Sequence, residues 1–366
     1  MLHASCFMPP RVAIIIVAYN ARPYLENCFN SLALVSYPRA ALEIIVVDNA
    51  STDGTADWLH EHAASATLIR NHENLGFAGG NNVGIRHAFA RGAEFVYLLN
   101  QDTIVEPDFL NEAVAVAQTD QKIGAAQSFL LLHPDRDRVN SMGNAIHFLG
   151  FGYTRGYRML VSAAEEEIER WRKRDPLLRI AYCSGAGVLL RASALKEIGL
   201  FDEELFLYHE DLDLGWRLCL AGYGNVLAPR SVVYHQYEFS RSISKWYWME
   251  RNRFLVLAKN YHLATLILIL PALIIMEFGL LAFSFRSGWW REKLKGYAYL
   301  ARPHNWRALL RKRRDVQQRR RVSEREIVRF FTGIVASQEV MNPILRYFAN
   351  PIFQAYWSIV RRVIFW

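Results

Sequence analysis

The sequence predicts an α/β fold, a sheet flanked by helices, with a separate helical region behind it. Apolar, β-branched runs of strand length alternate with stretches of helical periodicity from Arg11 to Asp102, and each run stops at a polar turn. Charge is divided unevenly along the chain, and the later part adds an apolar run far longer than a strand. Hydrophobic residues make up 52% and charged residues 21%, enough apolar surface for a core, which excludes a disordered chain.

The first element, "RVAIIIVAYN" from Arg11, is a continuous run of the kind buried on both faces of a parallel sheet. "ARPYLENCFNSLALV" follows with apolar residues at helical spacing. "LEIIVVDNASTDGT" gives a second buried strand, a polar turn and the start of another helix, with Ser51, Thr52 and Asp53 placed to cap it. A third round runs through "TLIRNHENLGFAGGNNVGIRHAFARG" into the strand "AEFVYLLNQD". This alternation implies right-handed crossovers and a parallel sheet, in which ligands bind beyond the carboxyl ends of the strands. Tyr19, Asp48 and Asp102 all fall at such ends, so three distant stretches converge on one crevice. "SAAEEEIERWRKRDP" reads as a polar helix or flexible excursion. Next, "YCSGAGVLLRASALKEIGLFDEELFLYHEDLDLGWRLCLAGYGNVLAPRSVVYHQ" supplies a Gly turn, a strand, two helical patches and a closing strand on the same sheet.

Residues 241–366 hold 23 Lys and Arg against 7 Asp and Glu, whereas residues 1–240 hold 20 against 28. An acidic body, 1–240, therefore carries a basic tail, 241–366. Such tails suit nucleic acid or an anionic membrane surface, and neighbouring residues decide between them. Cys6, Cys28, Cys183 and Cys219 show no metal-ligand spacing, and no signal-like amino terminus precedes them, so a reduced, cytosolic compartment is expected.

Six motifs, "VAYN", "VVDNASTDGT", "NLGFAGGNNVG", "LLNQD", "FDEELFLYHEDLDLGWRLCLAGY" and "VVYH", occur in order over roughly residues 11–240. Together they resemble the inverting family 2 glycosyltransferases of GT-A fold, particularly the bacterial rhamnosyltransferase-like branch. The resemblance implies a Rossmann-like nucleotide-diphospho-sugar transferase with a mixed sheet, a dTDP- or UDP-sugar donor carrying rhamnose or a similar hexose, and a divalent metal, Mn²⁺ or Mg²⁺. By the same resemblance Tyr19 stacks near the base, and Asp48 accepts a hydrogen bond from the pyrimidine imide. "NLGFAGGNNVG" does not fit a dinucleotide-binding GxGxxG after the first strand, and the resemblance places donor contacts there, with Asn82 at a recurrent asparagine position. Its glycines are expected to let the backbone approach a ligand and adopt positive φ. Asp53 reads as a helix cap.

In "YHEDLDLGWRL" the resemblance makes Asp211 the general base, Glu210 an acceptor or positioning group, and Trp216 and Arg217 an acceptor-side and phosphate-side wall. The same carboxylates suit a helix amino terminus, and their mutual repulsion raises at least one pKa. Many sugar-nucleotide enzymes hold the metal with two aspartates one residue apart at a strand end; here Asn100 occupies the first place and Asp102 the second. Asn100 is expected to offer an amide oxygen or to hydrogen-bond the ribose, Asp102 to supply the charged ligand, and His235 to complete the set with the diphosphate.

"LATLILILPALIIMEFGLLAFSF", Leu263–Phe285, is long enough to cross a hydrocarbon core, although Pro271 and Glu277 interrupt it and basic residues flank both ends. A single crossing would oppose the positive-inside tendency, which favours a hairpin or in-plane pair of helices hinged near Pro271. "RYFANPIFQAYWSIVRRVIFW" mixes aromatics and arginines as interfacial helices do, favouring membrane over nucleic acid. The expected protein is a metal-dependent inverting glycosyltransferase on the cytoplasmic face of a bacterial inner membrane, acting on a lipid-linked or glycan acceptor in cell-surface polysaccharide synthesis. The alternative, motivated by Asn100, is a catalytically weak sugar-nucleotide-binding scaffold subunit.

Overall fold

The β-branched runs fold as buried strands paired side by side. In the computed structural model, which describes residues 9–236, 245–335, 343 and 345–366, strands β1 (Val12–Ala18) and β2 (Leu42–Asp48) run parallel in register from Val12–Leu42 to Ala18–Asp48. Strand β3 (Thr67–Arg70) extends this edge beyond β2, and β4 (Phe95–Leu99) lies on the other side of β1, both parallel. The direction of strand addition thus reverses between β1 and β4. That switch point opens a crevice at the carboxyl ends of both strands, where Tyr19 and Asn100 begin the next turns.

The later strands make the sheet mixed. Strand β5 (Thr103–Val105) leaves the main path, β6 (Ile123–Leu132) and β7 (Val139–Ser141) pair antiparallel, and β8 (Asn144–His147) and β9 (Gly152–Thr154) form a separate small sheet. Strand β10 (Arg179–Ile180) edges the main sheet, β11 (Gly187–Arg191) runs antiparallel between β4 and β6, and β12 (Gly224–His235) runs parallel to β6. The last strand, β13 (Phe331–Thr332), joins β8. The resulting order is β10-β12-β6-β11-β4-β1-β2-β3.

Helices α1 (Leu25–Ala33), α2 (Thr55–His62), α3 (Gly76–Ala90) and α4 (Phe109–Gln118) connect the first strands. The polar excursion forms helix α5 (Val161–Arg172), and α6 (Ala192–Ile198) and α7 (Glu210–Leu220) flank the second half. Two apolar layers, one around Ile14, Ile16 and Phe109 and the other around Ile15, Val47 and Leu98, cover opposite faces of the sheet. The alternation along β1 follows from the period of two in a strand.

The basic region folds as α8 (Lys245–Asn260), α9 (Leu263–Arg286), α10 (Trp290–Leu300), α11 (Pro303–Gln318), the short α12 (Glu324–Ile327) and α13 (Asn350–Val363). It shares a third core with the body, in which Trp216 meets Tyr261 and Phe331 edge to face at 4.7 Å. The expected boundary at 240/241 lies outside the described residues, as does Cys6. Helix α9 runs unbroken through Pro271, which is exposed, so the expected hinge there is not formed; the chain turns at Gly288, whose φ is +78°. A proline at an exposed position removes only a hydrogen bond at the surface, and the buried side of the helix stays continuous.

Candidate active site

The crevice is built where β1, β2 and β4 end. Gln101, just past β4, accepts from the Tyr19 N–H through Oε1 at 2.8 Å and donates to the Tyr19 carbonyl through Nε2 at 3.3 Å, which fixes the backbone at the end of β1. Tyr19 itself stays 45% exposed, a ring available for stacking. Asp48, at the end of β2, is buried, and its Oδ1 accepts from the Ser51 N–H at 3.2 Å. Asp53 accepts from the Thr55 N–H and hydroxyl and from the Arg22 N–H, the turn-capping role expected of it.

The loop into α3 is organised by a residue the motif reading passed over. Asn49, buried at 1% exposure, donates through Nδ2 to Asn74 Oδ1 and Gly76 O and accepts through Oδ1 from Asn71 Nδ2 and the Leu75 N–H. Its side chain holds both ends of the turn. The glycines behave differently from expectation. Only Gly76 has positive φ, and a Cβ there would collide with the Phe206 carbonyl, while Gly80 and Gly84 lie in the helix against Val17 and Ile15. They serve close packing of α3 on β1. Asn82 is likewise turned away from the crevice. It donates to Phe201 O and Glu203 Oε1, both at 2.9 Å, and accepts from the Phe201 N–H at 3.0 Å, pinning α3 to the loop before α7.

The β5–β12 pairing places His235 opposite Thr103 and therefore beside Asp102. His235 Nε2 is 3.3 Å from Asp102 Oδ1 and 3.4 Å from Asn100 Nδ2. On its other side Nδ1 faces Asn140 Oδ1 at 3.1 Å. An amide oxygen only accepts, so Nδ1 donates to it and Nε2 is the nitrogen turned toward Asp102. Asp102 Oδ1 is buried without a hydrogen-bond donor. A carboxylate oxygen and an imidazole nitrogen facing each other fit a divalent cation, and the Asn140 contact is the kind of orienting bond that metal-binding histidines make. Among the described residues, no group of three or more His, Cys, Asp or Glu is placed to hold a metal. Asp102 and His235 are thus the two residues here that could hold a metal, with Asn100 beside them.

The opposite wall is the amino terminus of α7. Asp211 Oδ1 accepts from the Leu212 N–H at 2.7 Å and Oδ2 from the Gly185 N–H at 3.4 Å. The neighbouring Ala186 carbonyl accepts from the Asn100 N–H at 3.1 Å, so one loop links Asp211 to the end of β4. Burial pushes the Asp211 carboxyl up to about 6, against the lowering effect of those backbone donors. Burial, reinforced by the charge of Asp211, raises Glu210 well above the usual carboxylate range, and its Oε2 has no hydrogen-bond partner. Burial thus holds both carboxyls of the pair above their ordinary range.

Trp216 and Arg217 do not line a wall. Trp216 is 1% exposed in the third core. Arg217 bonds Asp213 at 2.8 Å and donates to the carbonyls of Ile198, Gly199 and Leu200, a clamp within the body. Trp216 and Arg217 follow Asp211 by about one and a half turns, which rotates both onto other faces of the helix.

Residues 9–254 match the family model described as glycosyltransferase like family 2. The chain is a family 2 glycosyltransferase. The transferase is 26% identical over 237 residues, 61% of its length and 75% of the relative's, to N-acetylglucosaminyl-diphospho-decaprenol L-rhamnosyltransferase of Mycobacterium tuberculosis. It is 24% identical to poly-beta-1,6-N-acetyl-D-glucosamine synthase of Staphylococcus epidermidis, covering 61% of this chain and about half, 49%, of that protein. Its GT-A fold is shared with the mannosyltransferase PcManGT of Pyrobaculum calidifontis, solved with GDP-Man and Mn²⁺, at a TM-score of 0.51 and 19% identity over 85% of this chain and 86% of the other.

Proposed function

We propose that this transferase moves a sugar, with inversion, from a pyrimidine nucleoside diphosphate to a hydroxyl of a lipid-linked or glycan acceptor at a membrane surface. The observation that carries the reading is the place of Asp211, a carboxylate that accepts from the Gly185 N–H on the loop whose Ala186 carbonyl meets Asn100 at the end of β4. Asp211 takes the proton of the acceptor hydroxyl, the oxygen bonds to the anomeric carbon from the face opposite the diphosphate, and the bond to the diphosphate breaks. Tyr19 and Asp48 hold the base, while Asp102 and His235 would hold a Mn²⁺ or Mg²⁺ ion. That ion, when bound, offsets charge on the departing diphosphate. Rhamnosyl transfer to a diphosphate-linked lipid is supported by the name of the mycobacterial relative, and metal use by the Mn²⁺ complex of the structural neighbour.

Thermal stabilisation across UDP-, dTDP-, GDP- and ADP-sugars, with and without Mn²⁺, tests this reading. A pyrimidine diphospho-sugar with Mn²⁺ is expected to stabilise the protein by about 2–3 kcal/mol at a hundredfold excess over Kd, and the purine sugars to do far less. Equal stabilisation by all four, or by none, contradicts the proposal.

The membrane part rests on helix α9. Within its 24 residues an 18-residue window reaches a mean hydropathy of 2.6. Thr265, Ile269, Ala272, Met276 and Ser284 form a buried stripe, while Ile267, Leu270, Ile274, Ile275, Phe278 and Phe285 are exposed. Both ends are tied to the same body: Trp366 Nε1 donates to Thr265 Oγ1 at one end, and Trp289, just past the other, stacks on Trp246 at 4.7 Å. Glu277, its only internal charge, faces inward to Arg253 and Lys293. A helix docked along one side and apolar along the other lies in the interfacial plane. Helix α13 lies beside it through the Tyr356–Leu268 contact, and adds exposed Ile352, Ile359, Arg361 and Arg362. The surface fits the anionic cytoplasmic leaflet.

The full chain is expected to float with phosphatidylglycerol-containing vesicles. Replacing Ile275 and Phe278 together with Glu should reduce the floating fraction at least tenfold without changing the melting temperature, since both side chains are exposed. Unchanged flotation of the double variant overturns the assigned face.

A further inference from the structure

Asp211 is carried on a loop whose backbone is unusual. Phe206, Tyr208 and His209 all have positive φ, at 58°, 67° and 68°, although none is glycine. At Phe206 the turn closes on itself, with the Leu207 N–H donating to Leu205 O at 2.6 Å and ψ at −63°, a three-residue turn of the rare, positive-φ kind. Each such residue costs on the order of 1–3 kcal/mol and persists only where its surroundings hold it. The loop needs a clamp.

Helix α8 supplies one. Asn252, fully buried, donates through Nδ2 to the carbonyls of Leu205 at 2.7 Å, Leu207 at 3.0 Å and Tyr208 at 2.7 Å. Its Oδ1 accepts from Arg251 Nε at 3.0 Å and Nη2 at 2.7 Å, and Arg251 Nη2 also donates to the Glu204 carbonyl. The amide orientation is thereby fixed. Trp248, one turn earlier, stacks on the Phe206 ring at 4.7 Å, and the Arg251 guanidinium lies over Trp248 at 4.5 Å. From the other side the Phe206 carbonyl accepts from the Ala78 N–H at 3.2 Å, at the start of α3.

We infer that Asn252, oriented by Arg251 and seated on α8 outside the body's own motifs, is the positioning residue that holds the 205–209 loop in its strained form and so sets Asp211 against the acceptor hydroxyl. The inference rests on Asp211 as the base. A side chain capping the carbonyls of Leu205, Leu207 and Tyr208 stabilises a backbone that no local propensity favours, and α7 begins just after it. Releasing the clamp lets the loop relax toward ordinary φ, rotating the first turn of α7 away from the crevice. A displacement of about 1 Å at a catalytic group lowers turnover on the order of 100-fold.

Three measurements on the full chain test it. Asn252→Ala is expected to lower kcat about 10- to 100-fold, to leave donor KM and nucleotide affinity within about threefold, and to move the acid limb of the pH–kcat profile down from about 6 as Asp211 becomes more solvated. Amide hydrogen exchange should quicken over residues 205–211 and remain unchanged in β1 and β2. Should Asn252→Ala fail to fold, Trp248→Leu, which removes only the ring under Phe206, is expected to shift the same readouts in the same direction by about three- to tenfold. A folded Asn252→Ala protein with wild-type kcat, pH profile and loop exchange overturns the inference. If Asp211→Asn retains turnover while Asn252→Ala loses it and frees the loop, the clamp stands and the base must lie elsewhere on that loop.

Discussion

Asp211→Asn is expected to lower kcat by about 10²–10⁴-fold while nucleotide affinity stays within a few-fold of wild type, because the amide keeps the shape of the carboxylate and cannot take a proton. The neighbouring carboxyl provides the contrast. Burial raises the Glu210 carboxyl well above the usual range, which favours its neutral form, and Glu210→Gln, a neutral replacement of the same size, should keep most of the turnover. In the wild type kcat should fall tenfold per pH unit below about 6, where Asp211 protonates. Stability runs the other way. A carboxyl whose pKa is raised on folding contributes stability that is full below its unfolded value and is lost as pH rises through about 6. Asp211→Asn should therefore melt higher than wild type at pH 8, with the difference vanishing near pH 4. Full activity in Asp211→Asn, or loss of activity in Glu210→Gln equal to it, removes the assignment of roles within the pair.

How far the sequence reached depended on what each motif encodes. The apolar runs ended where the strands end, so Tyr19, Asp48, Asn100 and Asp102 were placed at the crevice from pattern alone. His235 and Asp102 lie 133 positions apart, and only the motif order linked them; the β5–β12 register is what brings them together. Asn82, Trp216 and Arg217 were misplaced for one reason. A polar or aromatic residue inside a motif reads the same whether it faces a ligand or ties two elements together, and all three do the second. Asn49, Asn140 and Asn252 were not singled out, because a lone asparagine carries no periodic or charge signal. For Asn252 a signal was present in "WYWMERNR", four charged or amide residues closing on one helical turn beside three aromatics, a poor composition for a surface helix and an apt one for a buried polar cluster. The same segment had been counted only as basic flanking charge.

Asp102→Ala is expected to abolish metal-dependent turnover, and the stronger test is metal binding itself, measured by Mn²⁺ titration with and without nucleotide. Asp102 and His235 alone would fall short of the roughly six oxygen or nitrogen donors such ions take, so the empty protein should bind Mn²⁺ weakly and nucleoside diphosphate should tighten that binding by more than about tenfold. Asn100 explains why this arrangement is tolerable. Its Nδ2 lies 3.4 Å from His235 Nε2, which is itself 3.3 Å from Asp102 Oδ1, so a neutral amide adjoins the pair. An aspartate there would put a second charge against Asp102 and raise metal affinity in the absence of nucleotide. Asn100→Asp should accordingly strengthen Mn²⁺ binding to the empty protein by about tenfold and leave turnover near wild type. Asn140→Ala, which frees the His235 ring to change tautomer or rotate, should weaken nucleotide-dependent Mn²⁺ binding by about 10- to 100-fold. Tight Mn²⁺ binding without nucleotide in the wild type contradicts the shared site, since the protein alone would then be completing a coordination shell that its described residues do not contain.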